Sequence, residues 1–512
     1  MKQKKHFLTG LVTILILLFA LSKQTYSQTY IDVAPGYGTL NAAISANTTP
    51  NVIFRLQRGS NAIYLLNGTI SITIPCRIEA VAGTGSRPQL IPAVVSGGIG
   101  TYPMDFKANT TLKGIYITAK DELGGIIQRM TRIMADGVRL TLDDCFMDNV
   151  LQAAVRCDNK DAKIYIKNTI VRNCASDWAN GRGVDDRGNN IDTLYIENST
   201  FHNIASRVLR DGGGYIKYFY ANHNTFTNTG YRLFDIGECP TVVFKNNLIV
   251  NCGFLGRGKS GTDALLALNP LTNAAFTGRT QTVEVHHNNV YIDPTFVQQY
   301  PDTVIVIPIY NNQMLLAIAD NNTGNNMLSS AVEFTSAPPS VSSIIPTYWN
   351  DPLLGNSTNA TLLRVNQDFA FATPSTFNTY DFKYANTFTS YTAAEKGQPL
   401  GALTWFNMTI LGVEDKQELP KEFTISQNFP NPFNPTTNIQ YSLPSGGMVK
   451  VEIFNSIGQK VNTLVNEMKN AGNHQITWNG KNIYGQDVSS GIYFYKVSKD
   501  NFSLTKKMML IK

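Results

Sequence analysis

The sequence predicts an all-β protein in two parts, a right-handed parallel β-helix followed by a small C-terminal immunoglobulin-like β-sandwich. Three observations carry this prediction. Six segments of the middle superpose without gaps and alternate apolar with polar residues; asparagine recurs at fixed places in them; and residues 422–512 break into short alternating strands divided by turn clusters.

The six segments are LTLDDCFMDN from Leu140, IYIKNTIVRN from Ile164, LYIENSTFHN from Leu194, FYANHNTFTN from Phe219, VVFKNNLIVN from Val242 and VEVHHNNVYI from Val283. Their starts lie 24, 30, 25, 23 and 41 residues apart, so they form one repeat with loop insertions. The first and third residues of each are apolar (Leu194 and Ile196, Val242 and Phe244) and the second and fourth mostly polar or amphipathic (Thr141 and Asp143, Tyr195 and Glu197). A period of two means a strand with one buried face. The eighth residue is apolar again (Met147, Val171, Phe201, Phe226, Ile249, Val290), which starts a second inward strand after a corner. The tenth holds Asn149, Asn173, Asn203, Asn228 and Asn251, failing at Ile292, and the fifth holds Asp144, Asn168, Asn198, His223, Asn246 and His287. Stacked at about 4.8 Å, amides at equivalent corners can hydrogen-bond along the axis. Asparagine also tolerates the left-handed backbone of a sharp corner. Leucine-rich repeats would need a leucine consensus that these units lack, and a propeller blade would need longer, four-strand units.

In chain order, Lys2, Lys4 and Lys5 precede the apolar run from Leu11 to Leu21 and the small residues around Thr25-Tyr26-Ser27, which reads as a signal peptide over residues 1–27. No later run reaches the about twenty residues of a spanning helix, so no integral membrane span is expected after cleavage. The β-helix follows over 28–412. Thr39 to Asn47, with Leu40, Ala43 and Ile44 on one helical face, should plug its open end, because a first rung otherwise exposes core and unpaired edge. Val52 to Leu56, Thr69 to Thr73 and Arg77 to Val81 read as early rungs; regular rungs span about 50–300, and 301–412 reads as an irregular closing segment. A charged, non-periodic linker occupies 413–421. Beyond it IQYSL, VKVEIFN, HQITWNG and GIYFYKV alternate between SGG, NAG, NG and SSG turns, the pattern of a small antiparallel sandwich. The prolines of FPNPFNP remove donors, so that stretch should lie as a stiff strap across the sandwich, anchored by Phe429 and Phe433.

The formal charge of +6 is unevenly spread: four lysines and no acid fall in 1–27, and ten lysines against five acids in 420–512, leaving the middle near −3. Bulk charge therefore implies no nucleic-acid partner. The six cysteines (Cys76, Cys145, Cys157, Cys174, Cys239, Cys252) are irregularly spaced without a CxxC and read as small core residues.

Two resemblances add to this reading. NFPNPFNPTTNIQYSLP, VKVEIFNSIGQKV, AGNHQITWNG, GQDVSSGIYFYKV and the terminal KKMMLIK resemble, in order over 422–512, the C-terminal sorting domain of the Bacteroidetes-type type IX secretion system. That implies carriage to the periplasm, recognition by the secretion machinery through this tail, and release or anchoring at the outer-membrane cell surface. YIDVAPGYGTLNAAISAN and GSRPQLI resemble the opening of chondroitinase B-like and pectate lyase-like β-helix proteins, which cleave or bind acidic polysaccharide on a long side face. The chemistry this implies is β-elimination: a cation or arginine neutralises the uronate carboxylate and a base removes the neighbouring proton.

Counted from the ladder asparagines, Arg207 and Arg232 stand four residues after Asn203 and Asn228, and Arg156 and Arg210 seven after Asn149 and Asn203, placing four arginines on one face. Asp211 and Asp235 fall beside them, and the longer loop DWANGRGVDDRGNN supplies Arg182, Asp185, Asp186 and Arg187. The candidate catalytic residues are Arg207, Arg210 and Arg232. Arg156, Arg182, Arg187, Asp235 and Lys259, from GRGKSG, are candidates for substrate binding. Asp185, Asp186 and Asp211 are candidate ligands for Ca2+. The alternative for all of them is a solvated face of ion pairs. The lyase family's Ser-x-Lys-Ser context is replaced here by IASRVLRDGG, and arginine holds its proton too firmly to be an easy base. Val184-Asp185-Asp186 resembles the paired acids of polygalacturonase-like hydrolases, but their Gly-His-Gly and Arg-Ile-Lys elements are absent. His223 and His287 occupy ladder corners and read as corner residues rather than metal ligands. The expected function is a monomeric exported protein acting on uronate-containing polysaccharide, as a lyase; a non-catalytic glycan binder or adhesin is the alternative and a hydrolase the second.

Overall fold

The computed structural model describes residues 29–94, 101–176, 180–321, 327–350, 380–410, 423–443, 447–469, 472–499 and 502–511. The expected signal peptide and linker lie outside the described residues. The chain divides into two compact units, Met1–Ile410 and Leu411–Lys512.

The first unit is a parallel β-solenoid. Three sheets of ten, eleven and eight strands run along it, and eight successive coils contribute one strand to each. In one coil these are Arg139–Asp143 on the first sheet, Phe146–Val150 on the second and Ala153–Cys157 on the third. The six segments stack in the register that the repeat predicts: Leu140 pairs with Ile164, Ile164 with Leu194, Leu194 with Phe219, Phe219 with Val242 and Val242 with Val283. The eighth positions align in the same way, from Met147 through Val171, Phe201, Phe226 and Ile249 to Val290.

Both corner positions are left-handed. The fifth residues have φ between 50° and 56° (Asp144, Asn168, Asn198, His223, Asn246, His287), and Asn149, Asn173, Asn203, Asn228 and Asn251 between 52° and 60°. A β-carbon there crowds the next carbonyl, a strain that asparagine's short amide offsets by local hydrogen bonding. The amides also link coils. Asn198 Nδ2 donates to Asn168 Oδ1 at 2.7 Å, Asn246 Nδ2 to Asn222 Oδ1 at 2.8 Å, and Asn203 Nδ2 to Asn173 Oδ1 at 3.3 Å. A further ladder runs inside the corner at the sixth position. There the backbone N–H of Thr169, Ser199, Asn224 and Asn247 donates to the side-chain oxygen of Ser199, Asn224, Asn247 and Asn288 respectively, at 2.9–3.1 Å. These buried donors have no strand partner at the bend, and the next coil supplies one.

The interior holds Leu, Ile, Val and a column of phenylalanines, with Phe234 5.0 Å from Phe219, 5.3 Å from Phe226 and 5.9 Å from Phe244. Helix Thr39–Ser45 buries Leu40 and packs Ala43 and Ile44 on the core at the N-terminal end, covering the first coil. Helix Asn312–Asp320 packs against strands Leu266–Asn269 and Thr282–His286 at the other. Residues 380–410 then run back along the outside of the coils: Glu395 N bonds Asn246 Oδ1, Ala402 N bonds Thr225 Oγ1, and Trp405 Nε1 bonds Thr200 Oγ1. All six cysteines are buried and free, and burial pushes the thiols of Cys76 and Cys145 up to about 12.

The second unit comprises antiparallel sheets of three strands (Thr424–Ile425, Thr437–Leu443, Gly472–Trp478) and four strands (Lys460–Lys469, Gly447–Asn455, Gly491–Lys499, Phe502–Leu510). Their facing apolar residues, with Trp478 and Tyr495 at the centre, form its own core. Of the two expected anchors in the proline strap only Phe433 serves. It is buried 5.5 Å from the Trp478 ring, and its backbone bonds Met509 O and Ile511 N. Phe429 is held by its backbone alone, through reciprocal bonds to Asn438, and its ring is 79% exposed. A segment that pairs through main-chain groups on one side can leave alternate side chains in solvent.

Candidate functional site

The predicted arginines converge on the outer side of the third sheet, over strands Arg129–Ile133, Ala153–Cys157, Arg182–Asp185, Arg207–Arg210 and Phe234–Glu238. Strand register sets two columns. Arg182 is level with Arg207, while Asp105, Arg132, Arg156, Asp185 and Arg210 succeed one another on consecutive strands.

Three ion-pair groups lie along this face. In the first, Asp158 accepts from Arg156 Nε at 2.9 Å and Arg132 Nε at 2.6 Å. Arg132 also reaches the Tyr102 hydroxyl at 2.9 Å, and that hydroxyl donates to Asp105 at 3.1 Å. Burial would push Asp158 up, but its two guanidinium partners hold it below the usual carboxylate value. In the second, the fully buried Asp185 takes Arg182 Nη1 at 2.6 Å and Arg210 Nη1 at 3.2 Å. Burial, set against Asp185 but reinforced by the positive charge of Arg210, lowers the Arg182 pKa. In the third, one oxygen of Asp235 bridges Arg207 at 2.8 Å and Arg232 at 3.1 Å. Asp263 takes Arg232 Nη2 together with the Tyr231 hydroxyl.

The structure thus gathers Arg156, Arg182, Arg207, Arg210, Arg232, Asp185 and Asp235 on one surface. Arg187 and Lys259 are exposed and stand outside the three groups, Arg187 in a turn at φ 58°. Asp185, Asp186 and Asp211 do not converge as a cation site among the described residues. Asp185 is taken up by two arginines, whereas Asp186 and Asp211 hydrogen-bond one another. Asp186 also accepts from Gly188 N at 3.0 Å and Gly212 N at 2.6 Å, and burial with the neighbouring Asp211 pushes it up to about 7.

Sequence reasoning missed Arg132, Asp158, Tyr102, Tyr231 and Asp263. Arg132 carried a signal: it stands one repeat before Arg156, 24 residues upstream. Asp263 belongs to a loop with no repeat position. A second cluster, Glu284, His286 and Glu395, has the composition of a metal site. Lys245 Nζ stands 2.8 Å from Glu284 and 3.3 Å from Glu395, so an ammonium already supplies the cation there.

Chemically, the third sheet offers fixed N–H donors and fixed positive charge. Its described strands contain no lysine. Arginine does not deprotonate in proteins. Burial and Asp263 raise the Tyr231 phenol above its ordinary pKa, which keeps it a protonated hydrogen-bond donor.

Residues 427–512 match the family described as the secretion system C-terminal sorting domain. No curated protein sequence matches the chain. Among solved structures, the latent PorU dimer of Porphyromonas gingivalis is 22% identical over 18% of this chain and 9% of that one, with a TM-score of 0.16. PorZ, a surface component of the type IX secretion system of Porphyromonas gingivalis, is 17% identical over 19% and 13%, with a TM-score of 0.14. A mutant of AlyGC, an alginate lyase of family PL6, is 16% identical over 52% and 34%, with a TM-score of 0.35. The chain therefore spans at most about a third of the length of these neighbours. No described helix is long and apolar enough to cross a membrane. The C-terminal unit is a secretion sorting domain, and it points to export and cell-surface attachment of the chain that carries it.

Proposed function

We propose that the solenoid engages uronate-containing acidic polysaccharide along its third sheet, and that it does so as a binding surface. The observation that supports this reading is the set of arginines locked by Asp158, Asp185 and Asp235 at the spacing of the coils. Arg132, Arg156, Arg207 and Arg210 keep part of their side chains exposed beside these aspartates, and a guanidinium's five N–H donors in a rigid fork allow such groups to meet carboxylates of a chain lying along the axis. Preorganised side chains lose little conformational entropy on binding.

β-Elimination is the second reading, and the same face weighs against it. That reaction needs a base able to take the proton next to the uronate carboxyl; the described strands of the third sheet hold no lysine or histidine, and their carboxylates Asp185 and Asp235 are each paired with two arginines. Incubation with a panel of uronate polysaccharides separates the readings. Retention on an affinity gel without new ultraviolet absorbance supports binding, absorbance from an unsaturated sugar supports a lyase, and new reducing ends without absorbance support a hydrolase. Arg207→Ala should weaken retention at least tenfold, since it also leaves Asp235 with one partner fewer; undiminished retention would remove the third sheet from the proposal.

A further inference from the structure

Asp263 lies in the loop between strands Arg257–Gly258 and Leu266–Asn269. Its two carboxylate oxygens meet two different donors of the preceding coil, the Tyr231 hydroxyl at Oδ2 and Arg232 Nη2 at Oδ1. The donors are held firmly from behind. Arg232 Nη1 is 3.1 Å from Asp235, and the Tyr231 ring lies 5.2 Å from the Arg207 guanidinium carbon and 5.3 Å from that of Arg232. The backbone N–H of Tyr231 is fixed to Ser206 O at 3.0 Å and that of Leu233 to Leu265 O at 3.0 Å.

The acceptor arrives on a lighter support. Gly258 and Gly261 flank exposed Lys259 and Ser260, and Thr262 is also exposed. The loop is tied by Arg257 Nη1 to Asp263 O at 3.1 Å, Gly261 N to Gly258 O at 2.9 Å and Lys259 N to Thr303 O at 2.9 Å. A guanidinium and a phenol placed against the two oxygens of one planar group form a receptor for a carboxylate. Its recognition chemistry is the same whether that group belongs to an aspartate or to a sugar acid.

We infer that Arg232 and Tyr231 form a carboxylate subsite of the third sheet, which Asp263 fills from within the chain until a uronate carboxylate displaces it. The uronate half of this inference rests on the polysaccharide reading above; the carboxylate half does not. A tethered competitor reduces the apparent affinity for the external ligand by the fraction of time the subsite is open. Loop 258–263 therefore sets a threshold that a polymer, with many carboxylates in series, crosses more easily than a single sugar.

The test is Asp263→Ala in the full chain, with thermal midpoints measured in sodium acetate and in sodium chloride at equal ionic strength. The emptied subsite should take acetate, raising the variant's midpoint by about 2 °C over chloride. The wild type should show no difference, and adding Arg232→Met to the variant should abolish the response. Equal midpoints in the two salts overturn the subsite. Polyuronate binding to the same variant should tighten by about tenfold. An acetate response without retention of any polyuronate keeps the subsite and defeats the polysaccharide reading, whereas polyuronate retention without an acetate response does the reverse. If Asp263→Ala does not fold, Asp263→Asn keeps the shape with a weaker hold on Arg232. Its polyuronate half-saturation should fall, and an unchanged value overturns the displacement.

Discussion

The amide column inside the corner between the first and second sheets and the arginine row on the third sheet both stack polar groups along the solenoid axis, on different terms. In the corner each group serves its equivalent one coil away: Asn247 Oδ1 accepts from the backbone and the side chain of Asn224, and Asn247 Nδ2 donates to Asn288. On the third sheet equivalent residues also stand level, Arg132 with Arg156 and Arg182 with Arg207, but the ion pairs run from arginine to aspartate. Arg156 stands level with Asp185 and Asp185 with Arg210, and the partner aspartates come from loops as well as strands. A self-complementary column satisfies donors that the fold itself creates. A column of mixed charge does little for the backbone, Asp185 accepting the N–H of Arg187 at 3.3 Å, so its partly exposed arginines can serve recognition.

The largest expected effect breaks the arginine row. Asp185 is fully buried between Arg182 and Arg210, so Asp185→Ala leaves a buried guanidinium without its carboxylate and should cost about 3–5 kcal/mol in chemical denaturation of the solenoid. Replacing both members, Arg182→Met with Asp185→Leu, should return most of that stability, because a buried pair exchanged for apolar groups of similar volume is near neutral. Polyuronate binding should not return with it. If the double replacement stays as unstable as the single one, the row is part of the scaffold after all.

Asn247→Ala should come next, at about 3 kcal/mol, because it strands the buried backbone N–H of Asn224 and the carbonyl of Ala221. Here no apolar partner substitution repairs the loss, since the orphaned groups are main-chain. Leaving polyuronate binding untouched while lowering stability would sharpen the contrast between the two columns.

A third expectation concerns pH. The Asp186 carboxyl is pushed up to about 7 by burial and Asp211, above the ordinary value of about 3.9, so the folded chain keeps a proton that the unfolded chain releases. Its contribution to stability is complete below about pH 4 and is lost as pH rises through about 7. Thermal midpoints taken from pH 5 to pH 8 should therefore fall for the wild type and stay flatter for Asp186→Asn, which mimics the protonated acid. A slope that survives Asp186→Asn assigns it to another group.

The difference between the columns also decides what could be read in advance. Corner positions were legible because one residue type recurs at one spacing, and the left-handed φ at Asn168, Asn198 and Asn246 follows from chemistry that asparagine carries with it. The inner ladder was not, because its positions run Cys145, Thr169 and Ser199 before Asn224 and Asn247, so no single side-chain type marks it. The arginines could be placed by counting from the ladder. Their partners could not: Asp263 sits in an insertion, and Asp158 answers to a strand two residues earlier and to the coil before it. Phe429 misled for a related reason, since apolar alternation marks the direction of a side chain only where the strand has a core to face.

The smallest effect separates backbone from amide at the tenth-position corner, the outer corner at the end of the second-sheet strand. Asn228 has φ 52°, and its Nδ2 reaches Asn203 Oδ1 at a long 3.4 Å. Left-handed backbone costs an ordinary residue roughly 1–2 kcal/mol, whereas glycine adopts it freely. Asn228→Ala should therefore lose about 1 kcal/mol and Asn228→Gly only a few tenths, the weak amide contact being common to both. Were glycine to cost as much as alanine, the amide contact would outweigh the turn, and the outer corner would join the inner ladder as a column held by its hydrogen bonds. With the expected ranking, asparagine stands at this corner for the conformation it tolerates, and the coil-to-coil amide bond is a consequence of placing the same tolerant residue at the same bend in every turn.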